Sequence, residues 1–334
     1  MHTLDNRNPW RFCIAPMMQY TDRHFRFLAR CLSEHTRLYT EMVVASAVLR
    51  GDRNRFLAHD AAETPVALQL GGSVPNELAA AAILGVEAGY SEINLNVGCP
   101  SDRVQSGRFG ACLIAEPALV AECVAAMREA VLVPVTVKTR LGVDDFDSYE
   151  HLCKLVAAVA AAGCETLILH ARKALLNFSP RANREIPPLD YARVYAIKRA
   201  FPHLTVVING GITSLAEAVR HLEQVDGVML GRVGYAQLDM VAEVDAVLFD
   251  TTARVTNALD VLARLKPYVE REVASGTDLR HLTKHWLGLW QGRPGAREWR
   301  RLIGTHSVRP NLSVNDAFAE AEQFMARVPD SRAA

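Results

Sequence analysis

The amino-acid sequence predicts a (β/α)8 barrel followed by a small all-helical domain. Eight short runs of β-branched and aliphatic residues lie between Arg11 and Asp250, and each is followed by a longer segment with helical periodicity. Eight such units in about 240 residues match the size of a (β/α)8 barrel. A doubly wound sheet is the main competitor, but no Gly-x-Gly-x-x-Gly motif follows the first run.

Each predicted strand ends in a polar or glycine-containing segment. In a barrel, the carboxyl ends of the strands meet at the face that holds the active site. One polar strand end would indicate only contact with water, whereas eight together indicate one cleft. The predicted strands are residues 12–15, 38–41, 66–70, 93–96, 135–138, 166–170, 206–209 and 227–230. Their carboxyl ends are Pro16-Met17-Met18, Glu41, Gln69, Asn96, Lys138, His170, Asn209-Gly210-Gly211 and Gly231-Arg232.

The alternation of strands and helices stops after Asp250. Pro294 and Gly295 mark a boundary of the kind found between helices. We therefore expect a barrel domain over residues 1–250 and a helical domain over residues 251–334. The predicted helices of the second domain are residues 256–275, 279–291, 296–303 and 314–328.

The composition is that of an ordinary globular protein. Of the 334 residues, 50% are hydrophobic and 22% are charged. No apolar run approaches the roughly 18 to 20 residues of a membrane span, and the N-terminus lacks a signal-peptide pattern. We therefore expect a cytoplasmic protein with no membrane partner. The seven cysteines include no Cys-x-x-Cys pair, which argues against disulfide and zinc frameworks.

The net charge is zero, yet the charges are unevenly distributed. Residues 264–309 contain ten Lys or Arg against four Asp or Glu. Arg297 and Arg300 fall one helical turn apart within this stretch, so they are expected on one face of a helix. This face can bind phosphates, or it can be an ordinary charged surface that only keeps the protein soluble. His281 and His285 have the spacing of a metal pair but lack the Glu of His-Glu-x-x-His, so we expect no metal.

The most informative motif is Glu-Ile-Asn-Leu-Asn-Val-Gly-Cys-Pro, residues 92–100. Its alternating strand pattern runs into Gly98 and Pro100, which force the backbone out of the sheet and leave Cys99 on a loop at a strand mouth. A cysteine chosen at random is more often a buried structural residue. The glycine-rich segment 101–110 permits a lid, and a thiol is mostly protonated at pH 7, which suits a proton donor.

Three strand-end side chains suit a bound ring with polar edges. Lys138 ends a valine-rich strand, so its ammonium is expected to be partly desolvated, where it can stabilise charge on a flavin or form a Schiff base. Gln69 can donate to and accept from a flavin's pyrimidine edge, and His170 can hold the phosphate side or the substrate. The glycines and Arg232 after the last two strands have the composition of a barrel phosphate site.

Together these motifs resemble those of the tRNA-dihydrouridine synthases over almost the whole chain. The Asn-x-Gly-Cys-Pro motif is highly specific, whereas the glycine pairs are not. Residues 183–191 and 295–301 look like the A subfamily, which modifies uridines 20 and 20a in the tRNA D-loop. The other motifs that carry the resemblance are Ala15-Pro16-Met17-Met18, Glu41-Met42, Gln69-Leu70-Gly71-Gly72, Lys138-Thr139-Arg140, His170-Ala171-Arg172, Asn209-Gly210-Gly211 and Gly231-Arg232.

The resemblance implies an FMN barrel in which NADPH reduces the flavin. Flavin N5 then passes hydride to C6 of a flipped uracil while Cys99 protonates C5, so uridine becomes 5,6-dihydrouridine. Asn96 would contact the target uridine. The residues implied to hold FMN are Pro16, Met17, Met18, Gln69, Lys138, His170, Asn209, Gly210, Gly211, Gly231 and Arg232. The residues implied to contact tRNA are Arg184, Pro187, Arg297 and Arg300.

Two other functions compete with this one. An FMN oxidoreductase acting on a free pyrimidine or another small unsaturated substrate would explain Lys138 and the phosphate loops, but it leaves the C-terminal arginines without a role. A catalytically idle tRNA-binding barrel predicts loss of Cys99 or Lys138, and both are present. No dedicated dinucleotide motif occurs, which fits transient docking of NADPH in the flavin cleft.

Overall fold

The computed structural model describes residues 8–252, 257–309 and 311–328. Its first part is a ring of parallel strands surrounded by helices. All eight predicted strands are present, and the second is split into two short pieces. The strands are β1 (Phe12–Ile14), β2 (Leu38–Tyr39), β3 (Val43–Val44), β4 (Val66–Gly71), β5 (Glu92–Val97), β6 (Val135–Arg140), β7 (Thr166–His170), β8 (Thr205–Asn209) and β9 (Gly227–Leu230).

The strands close into a barrel. The order is β1-β9-β8-β7-β6-β5-β4-β2, with β3 also pairing with β4, and all these pairs are parallel. Between β1 and β2, the N–H of Ile14 donates to the carbonyl of Arg37, and the N–H of Arg37 donates to the carbonyl of Phe12, each at 2.9 Å. The predicted (β/α)8 barrel is therefore confirmed.

Helices cover the outside of the barrel because the longer ones each bury one apolar face. In the segment 149–161, for example, Leu152, Leu155, Val156 and Val159 are buried at helical spacing. Ser148 caps this helix by accepting the N–H of His151 at 3.0 Å. The barrel helices are α1 (Arg23–Leu32), α2 (Ala45–Arg50), α3 (Arg53–Phe56), α4 (Pro75–Glu87), α5 (Asp102–Ser106), α6 (Pro117–Ala130), α7 (Tyr149–Ala161), α8 (Tyr191–Ala200), α9 (Leu215–Leu222), α10 (Arg232–Ala236) and α11 (Leu238–Leu248). Three 3-10 helices lie among them, at Ala61–Glu63, Gly110–Ala115 and Ala182–Arg184.

The inside of the barrel is divided into an apolar part and a polar part. The buried apolar cluster consists of Cys13, Ala15, Tyr39, Ala67, Ile168, Val207 and Met229. Glu92, Asn94 and Thr136 are each 0% exposed and lie on the inward faces of β5 and β6. Residues two apart in a strand share a face, so Asn96 on β5 and Lys138 on β6 also face inward, nearer the carboxyl ends of the strands.

The floor of the barrel is organised around the carboxylate of Glu92. Arg37 donates to Oε2 of Glu92 through Nε, and Trp10 donates to the same oxygen at 2.9 Å. Tyr39 donates to Oε1 at 3.1 Å, and Thr136 donates to Oε1 as well. The buried negative charge is therefore paired with a cation and fully hydrogen-bonded, as a buried carboxylate requires.

The chain after the barrel forms four helical segments, as predicted. The first helix has its predicted start at residue 256, which lies outside the described residues. The second, predicted over residues 279–291, consists of a short α-helix followed by the 3-10 helix Lys284–Trp290. The α-helices are α12 (Ala258–Ala274), α13 (Leu279–Thr283), α14 (Ala296–His306) and α15 (Val314–Arg327). Their shared core is built from the aromatic residues Trp286, Trp290, Trp299, Phe318 and Phe324. In the described part of the chain, no helix combines the length and apolarity needed to cross a membrane.

A half-buried polar contact joins the helical segment to the barrel at Asp22. The side chain of Asp22 caps α1 by accepting the N–H of His24 and of Phe25. It also lies 2.7 Å from Nζ of Lys284 and 2.8 Å from Nε2 of His285. Burial raises the pKa of Asp22, but the hydrogen bonds from His285 and Lys284 outweigh burial and hold this pKa well below its usual range.

Replacing Glu92 with Gln should lower the free energy of unfolding by about 3 kcal/mol, because the change leaves the buried guanidinium of Arg37 without its counter-charge. Urea unfolding monitored by circular dichroism measures this free energy. The matched control is Glu77→Gln, which removes the partner of the exposed Arg50 and should cost less than about 1 kcal/mol. Equal losses in the two variants would show that the Arg37 pair does not anchor the barrel floor.

Candidate active site

Strand register brings the predicted site residues of four neighbouring strands to the same inward face. Asn96 pairs with Lys138, Lys138 pairs with Ile168, and His170 pairs with both Arg140 and Asn209. Because directly paired residues of parallel strands share a face, these side chains converge at the carboxyl end of the barrel.

The loop that carries Cys99 is shaped by Asn96. Oδ1 of Asn96 accepts the backbone N–H of Gly98 at 3.1 Å and that of Cys99 at 3.0 Å, which is an Asx-turn. Gly110 has φ +75°, and a Cβ there would lie 2.6 Å from the carbonyl oxygen of Cys99. The thiol of Cys99 is half-buried, with Sγ 3.5 Å from Oγ of Ser101.

Two side chains tie this loop to the segment that follows β7. Nε2 of Gln105 donates to the carbonyl of Pro100 and to that of Leu176, each at 2.9 Å. Nε of Arg140 donates to the carbonyl of Gly98 at 2.9 Å, and Nη1 donates to the carbonyl of Asn183 at 3.1 Å. In the structure the predicted lid segment includes α5 and a 3-10 helix, and whether it moves stays a prediction.

The carboxyl end of the barrel carries two positive charges that lack carboxylate partners, on Lys138 and Arg140. Burial lowers the pKa of Lys138 to about 8, and repulsion from Arg140 adds to this shift. Burial lowers the pKa of Arg140 to about 10, with Arg184 and Arg172 adding repulsion. No ion pair joins Lys138 or Arg140 to any carboxylate in the described part of the chain. An anionic ligand would therefore relieve an electrostatic cost that the protein alone bears.

His170 is held as a neutral imidazole. Burial lowers the pKa of His170 well below its ordinary value, and the charges of Arg140 and Lys138 lower it further. A neutral ring offers one donor and one acceptor nitrogen to a ligand. The ring also limits the backbone beside it, since a Cβ at Gly210 would lie 2.6 Å from Cδ2 of His170.

The loop after β8 contains two glycines in the left-handed region of backbone conformation. Gly210 has φ +111° and Gly211 has φ +74°, which favours glycine at both positions. Arg232, which follows β9, is exposed. Loss of hydration lowers the pKa of the exposed Arg184, and repulsion from Arg232 lowers it further. Asn209 is buried, with Nδ2 donating to the carbonyl of Met229 at 2.7 Å.

The β1 loop lies next to the β9 loop. A Cβ at Gly231 would lie 3.9 Å from Sδ of Met17, and the N–H of Met17 donates to Oγ1 of Thr21 at 2.9 Å. Pro16 is half-buried, whereas Met18 is 55% exposed. All three predicted residues of this loop therefore lie at the barrel mouth.

The residues predicted to contact tRNA differ in exposure. Arg184 is exposed, at the end of a 3-10 helix. Pro187 is buried, and its carbonyl accepts a hydrogen bond from Nη1 of Arg172. Arg297 and Arg300 are exposed on α14. Direct contact of each of these residues with tRNA stays a prediction.

The arginines near α14 separate into two groups. Arg293 is buried against Asp239, with Nε 2.8 Å from Oδ2, and its guanidinium lies over the ring of Trp290 at 4.8 Å. Trp299 turns the opposite face of α14 into the core and is 0% exposed. Arg297 and Arg300 are therefore left on the outward face, where no ion pair with a described residue engages them.

No group of three or more His, Cys, Asp or Glu side chains is placed to hold a metal ion within the described ranges. The two histidines at metal-pair spacing have other surroundings. Nδ1 of His285 lies 3.0 Å from the hydroxyl of Tyr235, and Nε2 lies 2.8 Å from Asp22. His285 therefore belongs to the contact between barrel and helical segment.

Sequence reasoning missed several residues that shape the site. Arg140 and Asn94 each lie two positions from a predicted site residue in the same strand, so period-two alternation could have placed them on the inward face. Asn183 is 0% exposed and holds the β7 loop by accepting the N–H of Leu175 at 2.7 Å and donating to its carbonyl at 2.8 Å. No local pattern marks Asn183, because its partners lie in a loop.

Comparisons with known proteins show the family of this chain. The family model described as dihydrouridine synthase matches residues 13–322. The chain belongs to the dihydrouridine synthase family, and it is an enzyme of the flavin-dependent oxidoreductase class. It is 54% identical over 321 residues to the tRNA-dihydrouridine(20/20a) synthase of Vibrio cholerae, covering 96% of this chain and 97% of that protein.

Two further comparisons extend this result. The tRNA-dihydrouridine(20/20a) synthase of Escherichia coli K12 is 54% identical over 307 residues, which cover 91% of this chain and 89% of that protein. A solved structure of 2-naphthoyl-CoA reductase with 2-naphthoyl-CoA matches with a TM-score of 0.54 and 12% identity, covering 73% of this chain and 51% of that chain. The second likeness shows the fold alone.

Replacing Lys138 with Met should stabilise the ligand-free protein at pH 7. Lys138 has a pKa of about 8 in the folded protein, against an ordinary lysine pKa of about 10.4 in the unfolded chain. Between these two pH values the unfolded chain binds more protons, so the free energy of unfolding falls as the pH is lowered through this range. Below pH 8 the charged Lys138 therefore destabilises the fold by its full amount. We expect a gain in free energy of unfolding of about 1 to 2 kcal/mol at pH 7, shrinking toward zero as the pH rises to about 10. Urea unfolding at several pH values measures the gain.

The matched control for this prediction is Lys198→Met. Lys198 is also buried, but its Nζ lies 2.8 Å from Oδ2 of Asp226 and 2.8 Å from the carbonyl of Leu204. This change should destabilise the protein, because it removes a satisfied cation rather than an unpaired one. Destabilisation by Lys138→Met at pH 7 would contradict the electrostatic description of the cleft.

Proposed function

We propose that this protein reduces the C5=C6 bond of uridine to 5,6-dihydrouridine in the tRNA D-loop, at positions 20 and 20a, using FMN and NADPH. One structural observation carries the proposal: the thiol of Cys99 lies at a barrel mouth beside the cations of Lys138 and Arg140, which lack carboxylate partners. The names of the relatives and the family membership support the same reaction.

The residues at the mouth fit an FMN molecule. Two cations without carboxylate partners suit the electron-rich pyrimidine edge of a flavin, and Gln69 lies on the same inward face. Gly210 and Gly211 have positive φ and lack side chains, a composition suited to backbone contact with a phosphate, and Arg232 is exposed beside them. The other predicted FMN residues, Pro16, Met17, Met18, His170, Asn209 and Gly231, line the same end of the barrel.

When bound, FMN would take hydride from NADPH and pass it from N5 to C6 of the uracil. The chain's own part is to supply the proton at C5, which we assign to Sγ of Cys99. Asn96 places this sulfur by holding the N–H of Cys99. Lys138 and Arg140 stabilise the negative charge that develops on the bound rings, and solvent returns the proton to the thiol.

The target base must leave its stack to reach this cleft, which costs a few kcal/mol and less in a loop. Asn96 is 8% exposed and lies directly below the loop of Cys99, so we assign to it the contact with the flipped uracil. Arg184 is exposed next to Arg232 at the rim. We assign contacts with tRNA to Arg184 and Pro187; Pro187 is buried, and its carbonyl accepts a hydrogen bond from Arg172.

We further propose that residues 251–334 form the tRNA-binding unit and residues 1–250 the catalytic unit, in the cytoplasm. Arg297 and Arg300 offer two outward guanidinium groups suited to phosphates. The contact of Asp22 with Lys284 and His285 holds this unit against the barrel directly after the β1 loop. The tRNA-binding surface and the flavin cleft are thereby kept in a defined relation.

The proposed reaction is tested by incubating the FMN-loaded protein with NADPH and an unmodified tRNA transcript and mapping dihydrouridine by mass spectrometry. We expect product at positions 20 and 20a. Product at other positions would keep the reaction and discard the site preference. Normal flavin reduction without product in tRNA, but with turnover of free uridine, would favour a small-molecule reductase instead.

Replacing Cys99 with Ala should lower dihydrouridine formation about a hundredfold or more while FMN content and tRNA binding stay the same, because general acid catalysis typically contributes that much. Quantitative mass spectrometry of the tRNA measures the product. The matched control is Cys112→Ala, a second half-buried cysteine in the following 3-10 helix, which should remain active. Full activity of the Cys99 variant would remove this thiol as the proton donor.

Replacing both Arg297 and Arg300 with Ala should weaken tRNA binding about tenfold and reduce the slope of log affinity against log salt by about 1.5, because two phosphate contacts are lost. Fluorescence anisotropy at several salt concentrations measures both effects, and NADPH oxidation by oxygen should not change. The control replaces Arg309 and Arg327, which pair with Glu320 and Glu298. Similar losses in both double variants would indicate a nonspecific effect of net charge.

A further inference from the structure

A continuous series of hydrogen-bonded side chains runs inside the barrel from its floor toward Cys99. Oγ1 of Thr136 donates to the carboxylate of Glu92 and accepts from Nδ2 of Asn94 at 2.7 Å. Oδ1 of Asn94 then accepts from Nε2 of Gln69 at 2.7 Å. These hydrogen bonds connect side chains of three neighbouring strands: Gln69 on β4, Glu92 and Asn94 on β5, and Thr136 on β6.

The series ends at the backbone of the Cys99 loop. Nδ2 of Asn96 donates to Oε1 of Gln69 at 2.9 Å, and Oδ1 of Asn96 accepts the N–H groups of Gly98 and Cys99. We call this series the interior relay; its members are Glu92, Thr136, Asn94, Gln69 and Asn96. All five side chains are at most 8% exposed.

The two ends of the interior relay set its direction. The carboxylate of Glu92 can only accept hydrogen bonds, and the backbone N–H groups of Gly98 and Cys99 can only donate. Between these ends, the side-chain amides of Asn94, Gln69 and Asn96 must each direct the oxygen toward the Cys99 loop and the nitrogen toward Glu92. In any other orientation two donors or two acceptors would face each other. In this orientation Gln69 and Asn96 each retain one further N–H, which suits the carbonyl oxygens of a flavin and of uracil.

We propose that Thr136 and Asn94 are positioning residues for the protonation step, because they orient the amides of Gln69 and Asn96 and so hold the N–H of Cys99. The proposal rests on the proposed function for the step that it names. Neither residue is assigned to the cofactor or to the substrate. Each acts through the next member of the interior relay, and the last contact, that of Asn96 with Cys99, sets where the thiol stands.

The test compares Thr136→Val, which removes the hydroxyl at nearly constant volume, with Thr136→Ser, which restores it. The matched control is Thr166→Val, since Thr166 is 2% exposed on the inward face of β7 and lies outside the interior relay. Three quantities are measured on the FMN-loaded protein: flavin reduction by NADPH, reoxidation of the reduced flavin by tRNA, and hydrogen exchange at the N–H groups of Gly98 and Cys99.

For Thr136→Val we expect tRNA-dependent reoxidation to slow about tenfold, about the effect of one typical hydrogen bond, and exchange at both N–H groups to rise several-fold. Flavin reduction by NADPH should stay within about twofold, because that step does not use Cys99. Thr136→Ser and Thr166→Val should match the unaltered protein within about twofold in all three measurements.

Unchanged exchange and reoxidation in Thr136→Val would overturn the proposal, and so would equal effects in Thr166→Val, since these would indicate general loosening of the barrel. If Thr136→Val does not fold, Asn94→Leu replaces it. In an Asn96→Ala background, Asn94→Leu should then cause no further slowing, because both changes interrupt one series. Additive effects would contradict the interior relay.

The two proposals fail in different ways. If the unaltered protein forms no dihydrouridine, the proposed function fails, whereas faster exchange at Gly98 and Cys99 in Thr136→Val would still support positioning of the loop by the interior relay. If the unaltered protein forms dihydrouridine and Thr136→Val does so at the same rate, the function stands and the positioning role is refuted.

Discussion

The contact between Arg37 and Glu92 supports three parts of the structure at once. The backbone of Arg37 closes the barrel by bonding to both Phe12 and Ile14, and its side chain pairs with Glu92 at the start of β5. Because Glu92 is buried, removing this cation would leave a buried carboxylate without a counter-charge, which strongly destabilises a fold. The interior relay starts from the same carboxylate. Barrel closure, the polar interior and the position of Cys99 therefore depend on one buried ion pair.

Charge is treated in opposite ways at the two ends of the barrel. At the floor, the carboxylate has a cation and several neutral donors. At the mouth, the half-buried Lys138 and the buried Arg140 have no carboxylate partner among the described residues. Loss of hydration lowers their pKa values and that of His170, and repulsion among the cations adds to the shifts. The floor and the apolar cluster supply stability, while the mouth keeps an electrostatic cost that an anionic or electron-rich ligand can relieve.

The helical segment is joined to the barrel close to the cleft. Asp22 ends the β1 loop, caps α1 and contacts Lys284 and His285, while Tyr235, which follows the β9 loop, contacts the same histidine. The two loops proposed to hold FMN and the arginine-bearing helices therefore meet at a half-buried polar contact. This arrangement gives the proposed tRNA-binding unit a direct contact with the barrel beside the proposed flavin cleft.

Period-two and helical patterns in the sequence were sufficient for the eight strands, the later helices and the strand-end residues, because these depend on residues close in the chain. They also placed Cys99 on a loop at a strand mouth. Tertiary structure alone decided that Arg293 is buried against Asp239 while Arg297 is outward, that Pro187 is buried, and that Asn94 lies in the interior relay. The physical reason is that these outcomes depend on strand register and side-chain partners far apart in the chain, which no local pattern specifies.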